Sequence, residues 1–143
     1  MTRLFLTLTL ATATLALGSC AAGIDTAQPR ELTPDQLALL DRNLGGKEAG
    51  APIRCLPAGS RNFDTIRVSD DILLYRQSGR VVYRNDLRGG CPGLARDNDI
   101  LVFRNVGGIT CRGDIFTLVD RTSGIRGGAC VLGDFVPYRA PRD

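Results

Sequence analysis

Between Ile53 and Tyr138 the chain carries four cysteines, Cys55, Cys91, Cys111 and Cys130, while a fifth, Cys20, stands apart near the N-terminus. An even set of four in a short exported chain reads as two disulfides, for which three connectivities exist. No two cysteines have C-x-x-C spacing, so neither a zinc ribbon nor a thioredoxin-like redox site is suggested. The pairing expected is Cys91–Cys111, across a strand read at residues 100–105, with Cys55–Cys130 tying the start of the body to its end. The rival is Cys55–Cys91 with Cys111–Cys130. A body this small has a limited core, and each staple contributes ~2–4 kcal/mol, mainly by restricting the unfolded chain.

The 143 residues amount to one domain, and 17 Gly with 7 Pro favour short strands and turns over a helix bundle. There is no His and no Trp. That excludes histidine-ligated metals and every mechanism with a histidine base. Lys47 is the only lysine, and the arginines are spread along the chain among acidic residues. A nucleic-acid reader concentrates its positive charge and interleaves aromatics for stacking. Neither pattern is present, so no nucleic-acid partner is expected.

The N-terminus reads as an address. Arg3 is a minimal positive region, and an apolar run from Leu4 to Leu17 follows. The run is too short to span a bilayer, which needs ~20 apolar residues, and has the length of a secretory signal core. It ends Leu17-Gly18-Ser19-Cys20-Ala21. This resembles the bacterial lipoprotein signal, in which the cysteine is lipidated after cleavage before it. The resemblance implies a signal over 1–19, acyl chains on Cys20, and a tether over 20–32. Ala21 after the cysteine resembles an outer-membrane destination. The alternative is an ordinary signal peptide cleaved after Ala21 or Ala22. Two or more acyl chains anchor a protein stably without a membrane-spanning helix.

Residues 33–143 read as a single small β-rich domain with an N-terminal helix. The helix covers 33–44. Thr33 is its N-cap, Pro34 suits the first turn, and Gln36 completes a capping box. Leu37, Leu40 and Leu44 form its apolar stripe, broadened by Leu39, and Gly45-Gly46 stop it through a left-handed residue. The stripe is expected to pack on the body; a partner-binding helix is the alternative. Strands are expected at 64–69, 72–77, 81–85, 100–105 and 114–120, with a short last one at 129–132. Ser78-Gly79 marks a hairpin. The apolar run 115–119 suggests burial on both faces, and 122–128 reads as a glycine-rich turn. The fold class expected is mainly β: a small antiparallel barrel or sandwich of about five or six strands.

Several segments together carry a resemblance. They are Leu44-Gly-Gly-Lys-Glu-Ala-Gly-Ala-Pro52, Asp71-Ile-Leu-Leu-Tyr75, Tyr83-Arg-Asn-Asp-Leu87, Cys91-Pro-Gly-Leu94, Cys111-Arg-Gly-Asp114 and Cys130-Val-Leu-Gly-Asp-Phe-Val-Pro-Tyr138. From Leu37 to Tyr138 the chain resembles a group of small alphaproteobacterial lipoproteins that share a domain of unknown function. The likeness implies export and paired cysteines, and no activity.

Candidate sites are few. Asp70-Asp71 reads as a turn, since neighbouring strand residues point to opposite faces and cannot share a proton. Asp97-Asn98-Asp99 lacks the ligand array of a calcium loop. Arg112-Gly113-Asp114 matches an adhesion tripeptide by coincidence beside Cys111. The glycine pairs do not open helices and make poor phosphate cradles. Phe135 and Tyr138, beside Pro137, are the one lead for a possible binding surface, while closing the core is the favoured reading for such residues. The expectation is a lipid-anchored envelope protein facing the periplasm. It would be a non-enzymatic binding, structural or accessory module, with no metal or cofactor and an envelope protein as possible partner. The alternative is an inhibitor of a periplasmic hydrolase, presenting the rigid loop Cys91–Leu94.

Overall fold

The computed structural model describes residues 30–59, 62–104 and 108–142. The signal, Cys20 and most of the tether therefore lie outside the described residues. Helix α1 spans Pro34–Leu44. The Thr33 hydroxyl accepts from the Gln36 N–H at 3.3 Å, and the Gln36 side chain accepts from the Thr33 N–H at 2.9 Å. Both halves of the expected capping box are present. At the other end the left-handed residue is Gly46, with φ 69°, and Gly45 precedes it in extended geometry. Lys47 donates from Nζ to the Asn43 carbonyl at 2.8 Å, closing a free acceptor of the last turn.

Among the described residues eight strands follow: β1 (Glu48–Ala49), β2 (Asp64–Arg67), β3 (Ile72–Arg76), β4 (Val81–Asp86), β5 (Asp99–Phe103), β6 (Ile115–Asp120), β7 (Arg126–Val131) and β8 (Phe135–Arg139). They form two antiparallel sheets, of order β1-β8-β4-β3-β2 and β5-β6-β7. Neither closes into a barrel. The mainly-β, two-disulfide class stands, with more strands than expected. The additions are β1 and β8. A proline inside an apolar run argues against a strand, which hid β8. Pro137 is nevertheless buried opposite Tyr83. Strand β7 also begins earlier than expected and includes Gly127 and Gly128, read in the sequence as turn.

The layers follow from strand parity. Leu73 and Tyr75 of β3, Tyr83 of β4 and Phe135 of β8 point to one face of the large sheet. There they pack against Phe116, Leu118 and Cys130 of the small sheet, with Leu101 and Phe103 at the margin. Phe135 meets Tyr75 edge-on at 5.6 Å. Ile66, Val68, Ile72, Leu74 and Val82 point the other way, against Leu40, Leu39 and Leu44 of α1. The body is thus helix, large sheet, small sheet. Leu37 does not join the stripe and is 53% exposed. The buried face of α1 instead runs through Leu40 and Asn43.

Of the buried polar residues Asn43, Ser69 and Asn85, Asn85 is the one with no exposure. Its side chain accepts from the Gly133 N–H at 3.0 Å and donates to the Gly133 carbonyl at 2.8 Å. It thereby supplies ladder bonds to the β7–β8 connection. A Cβ on Gly133 would collide with the Asp86 carbonyl, so glycine is required there.

Candidate functional site

The disulfides are Cys55–Cys111 and Cys91–Cys130, the third possible connectivity, and this corrects both pairings expected from the sequence. The reason lies in how the connections run. After β4 the chain turns over the small sheet, where Arg88 donates its N–H to the Val131 carbonyl at 3.0 Å. That contact brings Cys91 to Cys130 inside the core, both almost wholly buried. The segment before β6 runs back along 53–56, with Leu56 N–H donating to Thr110 and Arg112 N–H to Arg54. This sets Cys55 beside Cys111 at the margin, where Cys55 is exposed.

Phe135 and Tyr138 do not form a surface. They are three residues apart on β8, and a strand sends such residues to opposite faces. Phe135 has no exposure and belongs to the core between the sheets, which corrects the binding reading for it. Tyr138 is half-buried on the helix-side face, opposite Val82 and beside Arg84. Burial works against the Arg84 charge, yet the Asp86 carboxylate and the Tyr138 hydroxyl together hold its pKa above the ordinary arginine value.

Asp70 and Asp71 form the expected turn between β2 and β3 and also organise a distant loop. The Asp70 carboxylate accepts from the N–H groups of Gly93 and Ala95 at 3.1 and 3.2 Å, and pairs with Arg30 at 3.3 Å. Its carbonyl accepts from Cys91 N–H at 2.7 Å, and the Asp71 carbonyl from Leu87 N–H at 2.8 Å. The loop 91–94 is therefore rigid, as expected, but its ends face inward. Cys91 and Leu94 have no exposure, which leaves Pro92 as its exposed side chain.

Beside this turn an open cleft of about 210 Å³ lies between the residues preceding α1 and the β2–β3 connection. Arg30, Glu31, Gln36, Asp70 and Asp71 line it. The Arg30–Asp70 pair occupies its polar groups with each other. Asn98 donates to Asp120 at 2.6 Å, and Arg67 donates to the carbonyls of Arg96 and Asp99, so the 97–99 segment is held by its own neighbours. No group of three metal-ligating side chains converges among the described residues. Arg112 pairs with Asp134 at 3.2 Å, and Asp114 accepts from the Cys111 N–H at 2.8 Å; the tripeptide serves a turn.

One chemically distinctive group escaped the sequence reading. The Tyr75 hydroxyl is buried without a hydrogen-bond partner among the described residues. Burial, and secondarily the Asp114 carboxylate, push its pKa well above the ordinary tyrosine value. It stays neutral and cannot serve as a base at any ordinary pH.

The second miss is the outer face of the small sheet. The run 115–119 is buried on one side, at Phe116 and Leu118, while Ile115 is 47% exposed. This corrects the expectation of two-sided burial: no element among the described residues covers that face. Comparison with protein-family models, curated proteins and solved structures gives no match. No helix among the described residues is long and apolar enough to cross a membrane.

Proposed function

We propose that the chain is a lipid-anchored module of the bacterial cell envelope, held through Cys20 and facing the periplasm from the outer membrane. Its body is a disulfide-stapled scaffold for binding or support. The observation that carries this reading is the Leu17-Gly18-Ser19-Cys20 sequence at the end of a short apolar run, ahead of a body whose other four cysteines are paired. Disulfides persist in oxidising compartments, which agrees with export. The non-enzymatic part of the reading is supported by the chain's lack of histidine and by the occupation of its carboxylates in turns and ion pairs. The likeness to alphaproteobacterial lipoproteins points the same way.

The test is the intact mass of the protein from the membrane fraction, with thiol alkylation before and after reduction. Cleavage before Cys20, added acyl mass and four cysteines alkylated only after reduction are expected. A cleaved but unacylated chain would replace the anchored module with a soluble exported protein.

A further inference from the structure

The outer face of the small sheet can be read residue by residue from its ladders. Ile100 lies opposite Val119, Val102 opposite Thr117, Ile115 opposite Val131, Thr117 opposite Ala129, and Val119 opposite Arg126. Cross-strand partners share a face, so these residues form one continuous surface. Its exposed isoleucines are Ile100, at 41%, and Ile115, at 47%. Single exposed apolar residues are ordinary, but a contiguous set on one sheet face calls for a partner.

The charges on this face have one sign. Arg104 follows Val102 in parity at one end of β5, Arg121 follows Val119 at the opposite end of the sheet, and Arg126 sits beside Val119. All three are exposed, and none joins an ion pair among the described residues. The nearby carboxylates, Asp99 and Asp120, share the parity of Leu101 and Leu118, which point inward. The face is thus apolar in the middle, cationic at its corners and free of acidic side chains.

We propose that this face docks on the anionic headgroup layer of a lipid bilayer, with the isoleucines reaching the acyl boundary and the arginines among the phosphates. Apolar side chains flanked by arginines suit that boundary: the first gain by leaving water, the second keep their charge at anionic lipid. The proposal rests on the anchored-module reading for the nearness of a bilayer. From Cys20 to Arg30 an extended chain reaches at most ~35 Å, which keeps the body within contact of the lipid. A second copy of the chain is disfavoured as occupant, because a face-to-face pair would bring like arginine charges together.

The chain has no tryptophan, so one can be introduced as a sole fluorophore. Ile115→Trp reports on the proposed face, and Leu37→Trp on the exposed side of α1, on the far side of the body. Full-length protein from the membrane fraction is reconstituted into vesicles of equal parts phosphatidylethanolamine and phosphatidylglycerol with brominated acyl chains, then floated. Quenching of Ile115→Trp several-fold greater than of Leu37→Trp is expected. It should fall several-fold when Arg104→Gln, Arg121→Gln and Arg126→Gln are combined with Ile115→Trp. Flotation with equal quenching at both positions overturns the docking face and leaves the anchor standing. Strong quenching at Ile115→Trp in a chain whose mass shows no acyl groups supports the face and removes the anchor. A blue-shifted but unquenched Ile115→Trp assigns the face to a protein, a second copy or an acidic partner, and overturns the proposal.

Discussion

The two sheets are built from similar apolar runs and meet different fates. In the large sheet, Ile72, Leu73, Leu74 and Tyr75 of β3 are all buried. In the small sheet, Phe116 and Leu118 are buried while Ile115 is exposed. A continuous apolar run is buried on both faces only where the chain has an element to lay on each. The described residues hold one helix, and α1 covers the large sheet. The small sheet covers the other face of the large one, and no element among the described residues covers its own outer face.

The sharpest test of that contrast is a pair of truncations. Leu74→Ala empties a wholly buried site between α1 and the large sheet, and is expected to cost ~2–5 kcal/mol. Ile115→Ala removes a half-exposed side chain and is expected to cost less than ~1 kcal/mol. Urea unfolding of the two variants beside the parent measures both. Equal losses would mean that the outer face of the small sheet is covered in the folded protein after all.

The disulfides divide the same way, one inside the body and one at its margin. In the chain-entropy model, closing loops of 39 and 56 residues restricts the unfolded chain by ~4 kcal/mol each. Replacing Cys91 and Cys130 by Ala should cost more than replacing Cys55 and Cys111, because it also leaves a void between the sheets. Under mild reductant, alkylation is expected at Cys55 and Cys111 first, since Cys55 is exposed and Cys91 has no exposure. Mass mapping reads the order. The reverse order would show that the small sheet opens more easily than the margin does.

Local signals were the legible part of this fold. Thr33 and Gln36 announce the helix start through bonds made within one turn, and Ser78-Gly79 announces a hairpin whose strands pair Arg76 with Val82. What stayed hidden depends on contacts distant in the chain. Gly127 and Gly128 read as turn residues, yet β7 holds them in a strand because β6 offers a ladder beside them. The disulfide pairing turns on where the 88–94 segment crosses the small sheet, which no spacing rule contains. The opposite faces of Phe135 and Tyr138 follow from strand parity once β8 is recognised, and Pro137 masked that strand.

A third contrast sets two buried polar groups of the large sheet against each other. Asn85 is fully engaged with Gly133, whereas the Tyr75 hydroxyl has no partner among the described residues. Asn85→Ala leaves a buried N–H and a buried carbonyl unmatched, and should cost ~1–3 kcal/mol. Tyr75→Phe removes an unsatisfied hydroxyl and keeps the ring against Phe135, so stability should be unchanged or higher by up to ~1 kcal/mol. Thermal unfolding of both variants decides it. A clear loss for Tyr75→Phe would reveal that the hydroxyl is bonded in solution, by water or by movement of Asp114.

The smallest effect belongs to the turn that carries Ile125. The Asp120 carboxylate accepts from the Ser123 N–H at 2.7 Å, the Ser123 hydroxyl at 2.9 Å, the Asn98 amide at 2.6 Å and the Thr122 N–H at 3.0 Å. Those bonds, led by the Ser123 N–H, hold its pKa below the ordinary aspartate value in the folded chain. The unfolded chain therefore takes up the proton first as pH falls. The carboxylate's contribution is complete above the unfolded value of ~3.9 and is lost as pH drops through the lower folded one. The group is partly exposed at the end of β6, so water competes for its bonds and the effect on global stability is slight. The readout is local: amide exchange at Ser123 and Ile125, compared between neutral pH and pH ~3, should accelerate in the parent. Asp120→Asn, which cannot ionise, should remove most of that acid response. If exchange at Ile125 is insensitive to acid in both chains, the β6–β7 turn is held by its glycine geometry and backbone bonds, and the exposed isoleucine owes its position to the ladder alone.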